Sequence, residues 1–277
     1  MSRKALFSVI IPTLNEELYV PNLLSDLRRQ RGKKFEVIVV DGHSDDNTKK
    51  AVMKFKDAFP LRFVESSRRN LSYQRNLGAE KADGEYLIFI DADSRVTPTF
   101  IQKLSKALKE RPSLVYLPKI LPSNGTYTDE TLFSISNYVV ELSQILRKPI
   151  PSMSCMIFQS DFFRVLGGYT VPKNQKKHFP EDQDILIRSR KYGVIARYLS
   201  NLHVKFSLRR FQKEGRLSVI RTYMISSVET ILSSELRQRS MDYEMGGHNY
   251  LRSERYSKST IKRLKRSLQD LQKLVLE

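Results

Sequence analysis

Two aspartates separated by one small residue, Asp91-Ala92-Asp93, stand directly after the apolar run Tyr86-Leu87-Ile88-Phe89-Ile90. Residues two apart in an extended chain face the same side, so both carboxylates are directed together. Two hard oxygen ligands so placed suit Mg2+ or Mn2+ shared with a diphosphate. Aspartates also serve as turn formers, and what separates this pair from a solvated turn is its company. Ile11 runs into Pro12-Thr13-Leu14-Asn15-Glu16, and Val40 runs into Asp41. Ligands of open parallel sheets bind at the carboxyl ends of strands, so these three strand ends mark one candidate site. Arg75 lies just beyond Ser72 at a predicted helix start. It is either a cation for a departing diphosphate or a surface arginine lying along its helix. Glu181-Asp182 follows Pro180 and opens another predicted helix. A carboxylate there is a helix-start feature or a base able to take a hydroxyl proton.

The histidines and the single cysteine carry less. His203 follows Tyr198-Leu199-Ser200-Asn201 at the expected end of the last core strand. It either completes a metal site opposite Asp93 or is a hydrogen-bonded structural histidine. His43, His178 and His248 read as loop or surface residues, and Cys155 as a small buried apolar side chain. Thr13 and Glu16, three apart, also have the spacing of a capping box.

These residues need a scaffold, and the first 120 residues supply an alternation of strand and helix patterns. Strands are predicted at 7–12, 35–40, 61–64 and 86–90, with helices at 18–29, 51–58, 72–81 and 97–110 between and after them. Apolar runs buried on both faces and alternating with helices describe an α/β, mostly parallel, Rossmann-like sheet flanked by helices. Further on, strands are expected at 114–120 and 153–158, and helices at 129–147, 161–166 and 182–192. Beyond Phe206 the pattern turns helical, polar and basic, with a boundary near Leu208.

Four ordered motifs resemble glycosyltransferase family 2. Ser8-Val9-Ile10-Ile11-Pro12-Thr13-Leu14-Asn15-Glu16-Glu17 looks like the opening of that family, and Val39-Val40-Asp41-Gly42-His43-Ser44-Asp45-Asp46 is similar to its second strand and loop. Arg75-Asn76-Leu77-Gly78-Ala79 and the segment from Gly84 to Asp93 resemble its third signature. Gly167-Gly168-Tyr169 followed by Glu181-Asp182-Gln183-Asp184 resembles its acceptor-side signature. The resemblance implies a GT-A fold and an inverting transferase that uses a nucleotide-diphosphate sugar and a divalent metal. Position by position, it implies that Asp41 contacts the nucleobase, with Pro12, Thr13, Asn15 and Glu16 lining the same pocket. Asp91 and Ala92 then face the ribose and metal region, Asp93 ligates the metal, and Asp182, paired with Glu181, is the general base. His43 departs from the small residue frequent there.

Composition sets the boundaries. Of 277 residues 40% are apolar and 28% charged, which excludes wholesale disorder, and one cysteine excludes an internal disulfide. No run approaches the ~18 apolar residues of a conventional membrane span. Lys and Arg exceed Asp and Glu by 48 to 30, and residues 185–277 hold 20 of the first against 8 of the second, a surplus of 12 out of 18. Such a surplus expects an anionic partner. Nucleic acid fits poorly, because aromatics are not interleaved with the basic runs and bare strand-end carboxylates repel phosphate. Leu217, Ile220, Met224, Val228 and Ile231 recur at helical spacing, as core-packing or interfacial residues. Residues 261–276 form a second amphipathic pattern whose polar side carries Lys262, Arg263, Lys265 and Arg266. The expected organisation is a catalytic domain at 1–208, with a nucleotide half at about 1–115 and an acceptor half at about 116–208, and a basic helical tail at 209–277. The expected function is sugar transfer to a hydroxyl of a lipid-linked or glycan acceptor, on the cytoplasmic face of the cell membrane with the tail attached peripherally. The alternative acceptor is a polyprenyl phosphate.

Overall fold

A computed structural model describes residues 6–145, 149–152, 154–172 and 180–209. Two strands, β1 (Phe7–Thr13) and β2 (Phe35–Asp41), are buried at every position. Their two-sided apolar runs require cover on both faces. Helix α1 (Val20–Arg28) turns Val20, Leu23, Leu24 and Leu27 inward, with a proline in its first turn where the missing N–H costs nothing. The chain continues through α2 (Thr48–Met53), β3 (Leu61–Glu65), α3 (Leu71–Glu80), β4 (Tyr86–Ile90), β5 (Arg95–Val96) and α4 (Phe100–Glu110). It ends with β6 (Val115–Pro122), α5 (Tyr127–Ser143), β7 (Cys155–Gln159), α6 (Ser160–Val165), α7 (Glu181–Lys191) and β8 (Arg197–Phe206).

The eight strands form one sheet in the order β3-β2-β1-β4-β7-β6-β8-β5. Pairing is parallel from β3 through β4 and again between β6 and β8. Strand β7 is antiparallel to both β4 and β6, and β5 is antiparallel to β8. The mostly parallel expectation therefore describes the nucleotide half better than the acceptor half. An apolar pattern is the same for a strand of either direction, so the reversal at β7 was not readable. Two reversals bring β6 and β8 back to the direction of β4, and the carboxyl ends of β1, β2, β4, β6 and β8 share one edge. On that edge the register sets Thr13 opposite Asp41.

Two local expectations are corrected. Helix α2 stops at Met53 rather than 58, and residues 54–58 form turns. The capping box is absent: Thr13 lies inside β1, and α1 begins at Val20 after Tyr19, which makes no side-chain cap. Strand β5, two residues long and too short to leave a periodic signal, was unforeseen. It is held by Val96 opposite Val204 and by Arg95, which donates to the buried carboxylate of Asp26 through Nε at 2.6 Å and Nη2 at 2.9 Å. The expected boundary at 208, the basic tail, His178 and His248 involve residues outside those described. Among the described residues no helix is long and apolar enough to cross a membrane.

Helix α3 matters most for the site, because it lies directly on β1 and β2. A Cβ on Gly78 would collide with Cγ2 of Ile10 and come within 3.1 Å of Cγ2 of Val40. Gly78→Ala should therefore push α3 off the sheet and destabilise the fold by ~1–3 kcal/mol. The lowered midpoint in urea unfolding measures it, and an unchanged midpoint would show that the helix can shift without cost.

Candidate active site

At the end of β2 the buried carboxylate of Asp41 is held from two directions. Thr13 donates from Oγ1 to its Oδ1 at 2.9 Å; Ser44 donates from Oγ to Oδ1 at 2.6 Å and from its backbone N–H to Oδ2 at 2.8 Å. The loop doubles back through His43, exposed and at a φ of 59°, a left-handed conformation open to few side chains. Asn15, at a φ of 55°, donates from its backbone to Ser44 Oγ at 2.8 Å and accepts from the Asp45 N–H at 2.7 Å. Glu16 is buried and donates from its backbone to Thr48 Oγ1 at 2.8 Å. Pro12 stands opposite Val40. The structure thus brings Thr13, Asn15 and Asp41 together around Ser44, with Pro12 and Glu16 next to them in the chain.

Beneath it lies Gln74, wholly buried, whose amide donates to the carbonyls of Thr13 at 2.9 Å and Val40 at 2.8 Å. This side chain ties the ends of β1 and β2 together, and its Oε1 has no partner among the described residues. A Cβ on Gly42 would stand 3.1 Å from that oxygen, so glycine is needed for the close approach. Sequence reading missed Gln74, since nothing about a helical glutamine announces two strand-end carbonyls.

Arg75 is the hub of the second half of the site. It is buried, which rules out the surface arginine. Its Nη1 donates to Asp182 Oδ1 at 2.9 Å and stands 3.5 Å from Glu181 Oε1, while Nη2 donates to Asp91 Oδ1 at 3.2 Å. The guanidinium also lies 5.1 Å from the centroid of the Tyr169 ring. Asp182 makes no helix cap, because the residue before α7 is Pro180 and no side chain caps it. Asn76 clamps the Gly-Gly-Tyr loop, donating to the Tyr169 carbonyl and accepting its N–H, both at 2.8 Å. Gly168, at a φ of 70°, has no room for a Cβ beside Asn76 Oδ1, 2.7 Å away. Asn76 and Tyr169 lie in the family-like motifs, where residue type and spacing assign them no role; their adjacency to Arg75 and to two glycines is the available signal. Tyr169 in turn packs edge-on against Phe89 at 5.1 Å and against Phe163 at 5.5 Å, which anchors the hub in the aromatic core.

Negative charge is in excess here. Burial pushes the Asp91 carboxyl up to about 7; Arg75 pulls it down, and the charges of Asp93 and Asp182 raise it further. Burial, then Asp182, raises Glu181 to about 8 against the pull of Arg75. Burial works against the charge of Arg75, yet Asp182, Asp91 and Glu181 hold it well above its ordinary value. Among the described residues three carboxyl groups, Asp91, Glu181 and Asp182, share the one guanidinium of Arg75. Asp91 and Asp93, with Ala92 buried between them, are oxygen donors of the type that Mg2+ or Mn2+ takes.

His203 does not join them. It lies within β8, three residues before its end, opposite Lys119, and its charged form is disfavoured by burial first and then by Lys103, Lys205 and Lys119. Lysines on every side repel a cation, and no group of three or more His, Cys, Asp or Glu among the described residues is placed to hold one. The expected third metal ligand is thereby corrected. Cys155 is buried beside Ile90, and burial raises its thiol far above the usual range, consistent with an inert packing residue.

The sequence profile described as Glycosyl transferase family 2 matches residues 8–166. The chain is 33% identical over 131 residues to the poly(ribitol-phosphate) beta-N-acetylglucosaminyltransferase TarS of Staphylococcus aureus, covering 46% of this chain and 23% of that protein. It is 25% identical over 190 residues to an uncharacterized glycosyltransferase of Haemophilus influenzae, covering 66% and 61%. The crystal structure of S. aureus TarS 1-349 in complex with UDP-GlcNAc superposes with a TM-score of 0.59 at 24% identity, over 73% of this chain and 58% of that one. Mannosyltransferase PcManGT from Pyrobaculum calidifontis, in complex with GDP-Man and Mn2+, gives 0.61 at 19% identity over 83% and 63%. These likenesses establish the GT-A fold, and in each case the match spans less than two thirds of the other protein. The matched profile covers more than half of the chain, including both strand ends that present Asp41 and Asp91-Ala92-Asp93, and the chain belongs to glycosyl transferase family 2.

Proposed function

We propose that the chain is an inverting glycosyltransferase that moves a sugar from a nucleotide-diphosphate donor to a hydroxyl of a lipid-linked or glycan acceptor. The observation that carries this reading is Arg75, which ties a strand-end carboxylate of the donor side, Asp91, to a second carboxylate at a helix start, Asp182. Donor and acceptor chemistry need such groups close together but on opposite sides of the reacting carbon. Thr13 and Asp41 bind the nucleobase, and Gln74 fixes their spacing. Asp93 and Asp91 hold a divalent cation, Mg2+ or Mn2+, which when bound supplies positive charge to the diphosphate leaving group. The acceptor oxygen forms its bond to the anomeric carbon as the bond to the diphosphate breaks, and Asp182 takes the hydroxyl proton. Glu181 stands beside it and keeps its own proton at neutral pH.

Residues 1–208 form the catalytic domain in this reading, and 209–277 a basic segment that attaches to the inner face of the cell membrane. Support for attachment is the surplus of 7 positive charges in residues 209–277, 15 Lys and Arg against 8 Asp and Glu. Incubation with a panel of nucleotide sugars, with release of nucleoside diphosphate as the readout, tests the reaction class; release of a nucleoside monophosphate with transfer of a nucleotidyl group would overturn it. Within that assay Asp41→Ala should raise the donor KM by about tenfold while changing kcat little, since a nucleobase contact is equal in ground and transition states. A loss confined to kcat would remove Asp41 from the nucleobase.

A further inference from the structure

We propose that the β6–β8 surface carries a binding site for a phosphate group of the acceptor, built from Lys119, His203, Lys205 and Lys103. The register places Lys119 directly opposite His203 and Leu121 opposite Lys205, so the three polar side chains share one face at the carboxyl end of two parallel strands. Lys103 reaches across from α4, with its Nζ 3.4 Å from the carbonyl of Asn201, two residues before His203. His203 and Lys119 are half-buried, and Lys103 and Lys205 are exposed. None of the three lysines makes an ion pair among the described residues. Arg95, opposite Lys205, adds no free charge, because it is spent on Asp26.

Lys119 and Lys205 stand diagonally across the strand pair, each next to His203, and Lys103 approaches from α4. A phosphate, with its several acceptor oxygens, can take hydrogen bonds from all of them. Its position assigns it to the acceptor. The nucleobase residues lie at β1 and β2 and the metal-type aspartates at β4, whereas this strip lies on the far side of β4, along the same edge. The loop carrying Asp91 and Asp93 leads directly into β5, which pairs with β8. The inference rests on the transferase reading for its ligand's role, and a phosphate of a lipid carrier or of a phosphodiester polymer would satisfy the same chemistry.

His203 is its own reporter. The imidazole proton resonances of the full-length protein, assigned with His203→Gln, are followed against pH with and without inorganic phosphate, the nucleotide site being saturated with nucleoside diphosphate. Phosphate among the lysines should shift the His203 titration to higher pH. In Lys119→Gln/Lys205→Gln the phosphate affinity should fall at least about tenfold, with nucleoside diphosphate binding unchanged. The His203 titration separates the sources: a response to soluble short-chain phosphatidylglycerol that is lost in the double variant points to a lipid headgroup, and a response to a soluble phosphodiester polymer instead points to a polymer phosphate. A His203 titration indifferent to phosphate in the native protein overturns the site. If nucleoside diphosphate does not bind at all while His203 responds to phosphate, the transferase reading fails and the anion site stands.

Discussion

Arg75→Met should cost the fold ~3–5 kcal/mol and abolish turnover. The reason is the company that Arg75 keeps. Removing one partner of a buried ion pair leaves the other charge unpaired, and the loss is that of an uncompensated charge rather than of one contact. Here Asp91, Asp182 and Glu181 would all lose their cation, and two of the three, Asp91 and Glu181, are already held above the usual carboxylate range by burial and by the charge of Asp182. Some of that cost would be recovered by protonation of the orphaned group, so the deficit should be smaller at pH 5 than at pH 8. Thermal unfolding at both values measures the difference, and an equal deficit at both would show that the carboxylates are not coupled through Arg75. Arg75→Lys separates charge from geometry. An ammonium keeps the charge but reaches one carboxylate, whereas the guanidinium fork reaches Asp182 and Asp91 at once. That variant should recover most of the stability and little of the activity. Full activity in Arg75→Lys would reduce the arginine to a counter-ion.

The nucleotide half was legible because it is local. An apolar run ended by a polar residue identifies a strand end wherever it occurs, and Thr13, Asp41 and Asp91 each sit at such an end. Parallel pairing with helical crossovers then places those ends on one edge without further information. The acceptor half depends on contacts between residues far apart in sequence, which no periodicity records. Asp182 meets Arg75 across 107 positions, and Asn76 meets Tyr169 across 93. His203 shows the same limit from the other side. A histidine near a strand end is compatible with a metal site until the register sets Lys119 against it. Reading types and spacing identified the chemistry available at each end of the sheet, and the reversal at β7 decided which of those groups could meet.

Asp182→Asn should lose ~10²–10⁴-fold in kcat while retaining the fold and donor binding, which is the range that a positioned general base contributes. The amide keeps the shape and can still contact Arg75 through its oxygen, so the hub survives and only basicity is removed. Glu181 is not a substitute. Its carboxyl is raised to about 8, by burial and then by Asp182, so at neutral pH it holds its proton, while Asp182 accepts from Arg75 Nη1 at 2.9 Å. Above about pH 8 Glu181 ionises as well, and a second negative charge then lies beside the incoming acceptor oxygen. The identity of the acceptor decides whether this base is needed. A hydroxyl must surrender a proton, whereas a polyprenyl phosphate is already ionised at pH 7, and a carboxylate in front of its oxygen would repel it. Measured with a neutral glycan acceptor and with a polyprenyl phosphate, the native protein should use only the glycan if the acceptor is a hydroxyl, and Asp182→Asn should lose that activity. Full activity toward the phosphate in the same variant would remove the base, transfer the reading to a phosphate acceptor, and leave Asp41, Asp91, Asp93 and the donor side as they stand.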